Sequence, residues 1–260
     1  MIGYPVSILN AMPIRFEYLI TAFSTAGTET GSVIMKGRQW SGQHTIEVRR
    51  KILNAAKDLF TSQGYKKTTI RQIVDKSGIL TGSIYYLYKN KDEIFQSLIL
   101  SLTKQCIRSI DEVCEGESED YKCMAAIAIE MHAIHASPIV CECFYAGYTS
   151  PAIFEKFVEV YAELEYELFK DTATPYSREE TFHQALTVRS AMGGCVMAHY
   201  FNEPFDYEKY LDPVLSLVLY LHGVPRDEMS GIIAHLHERD ELWKYIGKHL
   251  RDAPVEEPEE

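Results

Sequence analysis

The sequence predicts an all-α protein, and three observations support that fold class. Apolar residues recur three and four positions apart through most of the chain, which is the spacing of an amphipathic helix. No segment alternates apolar and polar residues over the length of a strand. Ser, Thr or Asn stands three residues before Glu or Gln at several points, as is typical where helices begin. We therefore expect a three-helix N-terminal head and a larger C-terminal helical body.

The head is predicted to span residues 45–90 and to contain a helix-turn-helix. Its helices are expected over 45–63, from Thr69 to the turn Ser77-Gly78-Ile79, and over 80–87. Two short helices joined by a three-residue turn with a glycine, packed on a preceding helix, are typical of that motif. Asn90 and Glu93 have capping spacing and predict the start of a long helix that ends near Cys114.

The body is predicted to span residues 91–250. Beyond the long helix we expect further helices over 120–136, 139–148, 151–171, 178–201, 207–222 and 226–248. Residues 1–44 show no sustained period and predict a flexible extension, within which Met35 is an alternative start. That start would leave Lys36 and Arg38 as a short basic arm. The acidic residues 251–260 predict a disordered tail.

Composition and cysteine usage narrow the class of protein. The chain is 46% hydrophobic and 24% charged, as in ordinary globular proteins. No run of about 18 apolar residues is present, so we expect no membrane partner. The first 35 residues make a poor secretion signal. Six cysteines in a chain with no such signal favour reduced thiols and a cytoplasmic location.

The net charge of −11 conceals two regions of opposite sign. Residues 36–110 contain 14 Lys and Arg against 5 Asp and Glu. Residues 111–260 contain 11 against 30. A basic head on an acidic body indicates that the head binds a polyanion while the body does something else.

The head resembles the TetR family of bacterial transcriptional regulators. The resemblance covers about a fifth of the chain, within 46–95, and is carried without a gap by Phe60, Gly64, Tyr65, Thr68, Thr69, Ile70, Ile73, Gly78, Gly82, Ser83, Ile84, Tyr85, Tyr86, Lys91 and Glu93. It implies a dimeric, ligand-responsive regulator, most simply a repressor, that binds a near-palindromic site in double-stranded DNA. Two positions depart from the family pattern: Leu80 replaces the usual capping Ser or Thr, and Leu87-Tyr88 replaces a histidine and phenylalanine.

The resemblance places the third helix of the head in the major groove. Small residues at its start would let the backbone approach base edges and phosphates, and hydroxyls can bond to either. Tyr85 and Tyr86 are adjacent and cannot both face the core. The resemblance implies that one reaches a phosphate and the other a sugar, a thymine methyl group or a phosphate, whereas Tyr88 is expected in the core. The predicted DNA-contacting residues are Thr69, Arg71, Thr81, Gly82, Ser83, Tyr85, Tyr86, Lys89 and Lys91.

The body is expected to hold a small-molecule effector and the dimer interface. Soft and aromatic side chains concentrate in 131–161 and predict a pocket for an apolar or aromatic effector. The predicted lining is His132, His135, Cys141, Phe144, Tyr145, Tyr148, Phe157, Tyr161, Arg189 and His199. The segments 190–201 and 212–224 are expected to form the homodimer interface through Ala191, Gly194, Met197, Leu215, Val218 and Leu219. An effector would then swing the long helix from Lys91 and change the spacing of the two heads.

Two alternatives stay open at the level of sequence. The spacings of Cys195 with His199, of Cys141 with Cys143, and of His132 with His135 could serve a metal or thiol sensor that keeps the same head. A helix would, however, point the two thiols of a Cys-x-Cys apart. An α-helical enzyme is the other alternative, but no nucleophile–base pair or phosphate loop supports it. We expect no catalytic residues, no cofactor and no resident metal.

Overall fold

The computed structural model describes residues 42–173, 175–201 and 206–256, and it is helical throughout those ranges. The helices are α1 Gly42–Gln63, α2 Ile70–Ser77, α3 Thr81–Leu87, α4 Lys91–Val113, α5 Glu119–Ala136, α6 Pro138–Thr149, α7 Pro151–Phe169, α8 Arg178–Phe201, α9 Tyr207–Leu221, α10 Arg226–His237 and α11 Asp240–Asp252. The all-α prediction is therefore confirmed. The predicted N-terminal extension and basic arm lie almost wholly outside the described residues.

The head is built from α1–α3 and the first turns of α4 around one apolar cluster. Ile52, Phe60, Ile73, Ile84 and Phe95 are all buried in it. The local signals read from the sequence are present at α2. Thr69 caps the helix in a reciprocal capping box with Gln72, and Gly78 ends it with a positive φ of 68°. These local bonds fix the angle at which α3 leaves α2.

The body surrounds a central helix, α5, which is buried on nearly every side. Its sequence CMAAIAIEMHAI is apolar all round, so it has no face suited to solvent. Helices α6, α9 and α11 pack against it, and α7 and α8 pack along each other. The start of α7 and part of α6 extend to the head, where Cys143, Ile153 and Phe157 join the head cluster. Head and body therefore share a packed boundary.

The predicted helix over 226–248 is wrong, because the structure has two helices there. The chain turns at Glu238 and Arg239, between α10 and α11. No glycine or proline marks the break. Tertiary bonds hold it instead: Arg239 Nη2 donates to the Val113 carbonyl at 2.6 Å, and Trp243 Nε1 donates to the Leu236 carbonyl at 2.9 Å.

The predicted disordered tail over 251–260 is also wrong for residues 251–256, and 257–260 lie outside the described residues. Helix α11 continues to Asp252, and residues 253–256, here called the C-terminal strap, lie on the head. Val255 is 0% exposed and packs in the head cluster. Its amide donates to Asn54 Oδ1 at 2.8 Å, and Lys57 Nζ donates to the Leu250 carbonyl at 2.9 Å. One buried valine and these polar bonds hold an otherwise acidic segment.

Candidate nucleic-acid interface and internal cavity

Helix α3 presents a polar and aromatic face to solvent. Tyr86 is 83% exposed and Tyr85 is 52% exposed, whereas the preceding residue of the helix, Ile84, is fully buried. Thr81 and Gly82 at the start of the helix are exposed, and nothing lies within 4 Å of the position that a Cβ on Gly82 would take. Tyr88 is buried in the head cluster, as expected for a core aromatic. The helix thus combines an anchored inner face with an open outer face.

Leu80 directly precedes α3 and does not cap it. The helix begins at Thr81, and the Leu80 side chain makes no capping bond. The side chain is 79% exposed, although leucine is a residue that folding normally buries. The departure seen in the sequence is therefore a real structural feature: a large apolar side chain is exposed to solvent directly before α3.

Lys91 has a different environment from the one predicted. Its ammonium donates to the Tyr65 carbonyl at 2.7 Å and to the Thr68 carbonyl at 3.0 Å, and lies 3.9 Å from the centre of the Tyr65 ring. Burial lowers the pKa of this ammonium. The side chain points into the turn between α1 and α2, because three acceptor groups there satisfy it better than solvent. The expectation that Lys91 faces a phosphate is corrected accordingly.

The other predicted contact residues lie around the same face. Arg71 and Lys89 are exposed, and Ser83 is half-buried. The exposed Thr69 uses its hydroxyl in the capping box, where it accepts from the Gln72 amide at 3.3 Å. The backbone amide of Lys89 donates to Glu93 Oε2 at 2.8 Å, so this hydrogen bond does not involve the Lys89 ammonium.

A cavity of about 140 Å³ lies where the head meets the body. Its walls are mostly apolar and come from α1, α4, α5, α6, α7, α8 and α11. The lining is Lys57, Phe60, Thr61, Phe95, Leu98, Ile99, Leu102, Thr103, Cys106, Ala126, Ile129, Glu130, Ala133, Val140, Cys143, Phe144, Phe157, Tyr161, Arg189, Gly247, Leu250 and Arg251. An apolar cavity with a few convergent polar groups is the usual form of a small-molecule site.

The polar part of the cavity is a buried ion pair with two phenols. Arg189 Nη1 donates to Glu130 Oε2 at 2.8 Å, and both side chains are more than 90% buried. The Tyr161 hydroxyl donates to the same oxygen at 2.7 Å, and the Tyr148 hydroxyl donates to Glu130 Oε1 at 3.2 Å. Burial opposes the charge on Arg189, but Glu130 raises the pKa of its guanidinium overall. Both oxygens of the Glu130 carboxylate therefore have hydrogen-bond donors, as a buried carboxylate requires.

The structure brings only part of the predicted pocket together. Phe144, Phe157, Tyr161 and Arg189 line the cavity. Tyr148 joins its ion pair without lining it.

The remaining predicted pocket residues lie away from the cavity. The ring of His132 stacks on Tyr207 at 4.5 Å, and the rings of His135 and His199 are 5.5 Å apart. Tyr145 stacks on Tyr200 at 4.1 Å between ring centres. A helix buried on several sides, such as α5, directs neighbouring residues to different partners. For this reason, proximity in sequence did not identify the cavity wall.

The cysteines of the Cys-x-Cys pair face two different clusters. Cys143 Sγ donates to the Phe60 carbonyl at 3.4 Å in the head, and Cys141 Sγ lies 4.0 Å from the Val196 carbonyl in the body. Burial raises the pKa of Cys141 to about 11 and that of Cys143 to about 12. Cys195 Sγ lies 3.8 Å from the Tyr210 carbonyl. The thiolate, which both metal binding and redox sensing require, is thus disfavoured at neutral pH.

The described ranges contain neither a metal-binding cluster nor a membrane-spanning helix. In 42–173, 175–201 and 206–256, no group of three or more His, Cys, Asp or Glu is arranged to hold a metal ion. Across those same residues, no helix is both long and apolar enough to cross a membrane.

Sequence reasoning missed Glu130, the α4 wall and the end of α11. A glutamate inside the apolar run AIAIEMHA was the available signal for Glu130, since such a carboxylate must find a buried partner. Leu98, Leu102 and Leu250 gave no comparable signal, because any amphipathic helix has leucines at such spacing.

The predicted dimer residues fall into two groups. Leu215, Val218 and Leu219 are at most 1% exposed and pack inside the body, so their assignment to an open interface is wrong. Gly194 and Met197 are exposed and Ala191 is half-buried. Helix α9 presents a different face: Tyr220 is 71% exposed and Pro213 is also exposed. Both predicted interface helices, α8 and α9, carry an exposed apolar face. On α9, however, the exposed face is opposite to the predicted one.

Comparison with known proteins agrees with this geometry. Residues 52–98 match the family model described as bacterial regulatory proteins, tetR family. The chain is similar to the uncharacterized HTH-type transcriptional regulator YhgD of Bacillus subtilis (strain 168), with 35% identity over 71 residues, 27% of this chain and 37% of that protein. It is also similar to the HTH-type transcriptional regulator UidR of Escherichia coli (strain K12), with 25% identity over 121 residues, 46% of this chain and 60% of that protein. The chain thus spans less than two thirds of the length of these relatives.

A solved structure gives a likeness in fold. The full-length native TylP, a TetR regulator from Streptomyces fradiae, superposes with a TM-score of 0.53 and 17% identity. The match covers 82% of this chain and 95% of that one, so it extends over the body as well as the head. At this level of identity the likeness concerns the fold alone.

Proposed function

Since the chain belongs to the TetR family of bacterial transcriptional regulators, we propose that it binds double-stranded DNA as a homodimer and represses transcription until a small-molecule effector releases it. The observation that carries this proposal is the open face of α3, where two adjacent tyrosines are exposed on a helix anchored by Ile84 and Tyr88. Folding normally places aromatic side chains where they bury area, so a face of this kind suits a partner surface.

On DNA, α3 enters the major groove. Thr81, Gly82 and Ser83 lie against base edges and phosphates, and Tyr85 and Tyr86 contact the sugar-phosphate backbone or thymine methyl groups. Thr69, Arg71 and Lys89 add contacts to the backbone. Lys91 acts from inside, since its bonds to the Tyr65 and Thr68 carbonyls hold the turn that orients α2 and α3. Two heads related by a dimer axis require a near-palindromic site.

The homodimer forms through the outer faces of α8 and α9. Phe182, Met197 and Phe201 on α8 are between 40% and 66% exposed, and Tyr220 on α9 is 71% exposed. Exposed apolar side chains on two adjacent helices suit a self-complementary interface, in which the same patch on each copy meets its equivalent.

The effector binds in the cavity between head and body. Leu98, Ile99 and Leu102 of α4 line it, and α4 begins next to α3, so a change in the cavity reaches the head through one continuous helix. An effector releases DNA only by binding better to the arrangement of heads that does not fit the site. Within the cavity, the buried side chains of Glu130 and Arg189 pair with each other.

Substitution of Tyr86 tests the proposed interface. The DNA for this test is selected from a random pool by the parent protein. Tyr86→Ala should raise the Kd for that DNA on the order of tenfold, because one groove contact contributes about 1–3 kcal/mol. Fluorescence anisotropy at fixed salt measures this Kd. The urea midpoint should not change, because the side chain is 83% exposed.

Tyr245→Ala is the matched control, since Tyr245 is 66% exposed on α11, a helix of the body. It should bind the selected DNA as the parent does. Equal DNA affinity for the parent and for Tyr86→Ala would contradict the assignment of α3 to the groove. Affinity should also fall linearly with salt on logarithmic axes, as phosphate contacts require.

A further inference from the structure

A second, smaller cavity of about 20 Å³ adjoins the main one. It shares Ala126, Tyr161 and Arg189 with the main cavity and continues between α5, α7 and α8, where Glu165 lines it. We call this smaller cavity the annex. The shared lining residues place the two cavities next to each other.

Glu165 is an unusual residue for such a place. The side chain is 7% exposed, and its Oε2 atom has no hydrogen-bond partner among the residues that the structure describes. A buried carboxylate oxygen without a donor is strongly unfavourable, and proteins normally satisfy each such atom. The neighbouring donor, Arg189, is already held by Glu130 and by the Tyr148 hydroxyl. The annex therefore contains an acceptor that lacks a donor.

The charges at the annex favour a cation. The two other cationic residues of the main cavity have partners elsewhere: Lys57 Nζ donates to the Leu250 carbonyl at 2.9 Å, and Arg251 Nε donates to Asp252 Oδ1 at 2.7 Å. The annex lining and its ion pair together contain one guanidinium, that of Arg189, and two carboxylates, those of Glu130 and Glu165. A ligand carboxylate would lie close to both carboxylates, and Arg189 Nη1 already donates to Glu130 Oε2 at 2.8 Å. A ligand ammonium would instead supply the donor that Glu165 lacks and would balance its charge.

We propose that the effector is an apolar molecule ending in a protonated amine, with its apolar part in the main cavity and its ammonium on Glu165 in the annex. This inference rests on the proposed function, in which the cavity receives the effector. The apolar walls from Leu98, Ile99, Leu102 and Phe144 suit the hydrocarbon part, and Ala126 is the smallest of the three side chains that line both cavities.

Binding of this kind is pH-dependent. Burial raises the pKa of Glu165 to about 7, although His222 and Arg189 oppose the shift. The other groups near it are the Cys123 thiol of α5 and Asp120, which pairs with His222 Nδ1 at 2.8 Å. Bound ammonium stabilises the ionised carboxylate, so a proton held by Glu165 leaves to solvent. Affinity for the amine should therefore rise between about pH 6 and pH 8, while an alkyl amine, like lysine with its pKa of about 10.4, stays protonated.

Isothermal titration calorimetry of the full chain with three probes of equal length tests the proposal: octylamine, 1-octanol and octanoate. Octylamine should bind on the order of tenfold more tightly than 1-octanol at pH 8, as expected for a charge-assisted hydrogen bond. Octanoate should bind least. The advantage of octylamine over 1-octanol should shrink as the pH falls from 8 to 6, and titrations in two buffers of different ionisation enthalpy should show proton release near pH 7.

Glu165→Gln keeps the shape of the side chain and removes its charge. It should abolish both the preference for octylamine over 1-octanol and the pH dependence. Glu155→Gln, an exposed carboxylate on the same helix, is the matched control and should bind all three probes as the parent does. The pH series on the parent protein keeps the proposal testable even if the Glu165 variant is unstable.

Three results would overturn the inference: no binding of octylamine, equal affinity for octylamine and 1-octanol at pH 8, or preference for octanoate. An unchanged octylamine preference in Glu165→Gln would also overturn it. These titrations contain no DNA, so their failure is distinguishable from failure of the proposed function, which the anisotropy of the Tyr86 variant tests separately.

Discussion

Gly64 lies at the point where the first helix of the head meets the body. Its φ is +87°, a conformation that L side chains rarely adopt. The Glu142 carboxylate of α6 accepts from the Tyr65 amide at 2.7 Å and from the Lys66 amide at 3.3 Å. A Cβ on residue 64 would lie 2.5 Å from Glu142 Oε2. Gly64→Ala should therefore strain the backbone and also displace the carboxylate that joins the head to the body.

The backbone strain and the loss of the hydrogen bonds to Glu142 contribute separately to the free energy of unfolding. A non-glycine residue in this left-handed conformation costs about 1–2 kcal/mol. Hydrogen bonds to a charged acceptor contribute about 1.5–3 kcal/mol, and we take the lower end because Glu142 is partly exposed. Gly64→Ala should then lower the free energy of unfolding by about 2.5–3.5 kcal/mol. Gly78→Ala is the matched control: its φ is +68° but nothing lies within 4 Å of its Cβ position, so only the strain of about 1–2 kcal/mol applies.

Urea unfolding of four proteins measures the difference. The parent, Gly64→Ala, Glu142→Ala and the double variant form a cycle in which the coupling energy should be about 1.5 kcal/mol. Once Glu142 is absent, Gly64→Ala should cost no more than Gly78→Ala. If Gly64→Ala and Gly78→Ala destabilise the parent equally, the carboxylate does not hold the turn and the reasoning fails.

Two further predictions concern the C-terminal strap and the dimer. Val255→Asp should release the strap, because it removes about 1.5–3 kcal/mol of free energy from the burial of the valine side chain. The release should appear as faster amide hydrogen exchange in α1 around Asn54, and unchanged exchange there would show that the strap does not hold the head. Met197→Glu places a charge on the outer face of α8 and should shift the protein toward monomer in sedimentation velocity, whereas Tyr245→Glu on α11 should not. A dimer that survives Met197→Glu unchanged would place the interface elsewhere.

Much of the head could be predicted because its signals are local. Thr69 and Gln72 stand within one helical turn, and the capping box that their spacing indicated is present. Tyr88 was expected in the core, and it is buried. The absence of a cap at Leu80 was also readable from the sequence. Each of these depends on residues no more than a few positions apart.

The candidate cavity was predictable only in part. Of the predicted pocket residues, Phe144, Phe157, Tyr161 and Arg189 line the cavity, whereas the predicted histidines contact Tyr207 and each other. Helix α5 is apolar all round, so its sequence could not indicate which side faces the cavity. The same ambiguity reversed the expected interface on α9, where Leu215 and Leu219 are buried within the body.

The sequence by itself determined the helical fold class, the helix-turn-helix and the tyrosines of α3, because helix periodicity, caps and turns act over a few residues. Tertiary structure alone decided the direction of Lys91, the pairing of Glu130 with Arg189 and the anchoring of Val255 on α1. These contacts join residues that are far apart in the sequence, from 23 positions for Lys91 and Thr68 to 201 positions for Asn54 and Val255. A lysine, a glutamate or a valine is compatible with many environments, and packing selects the one in which its charge is paired or its apolar surface is buried.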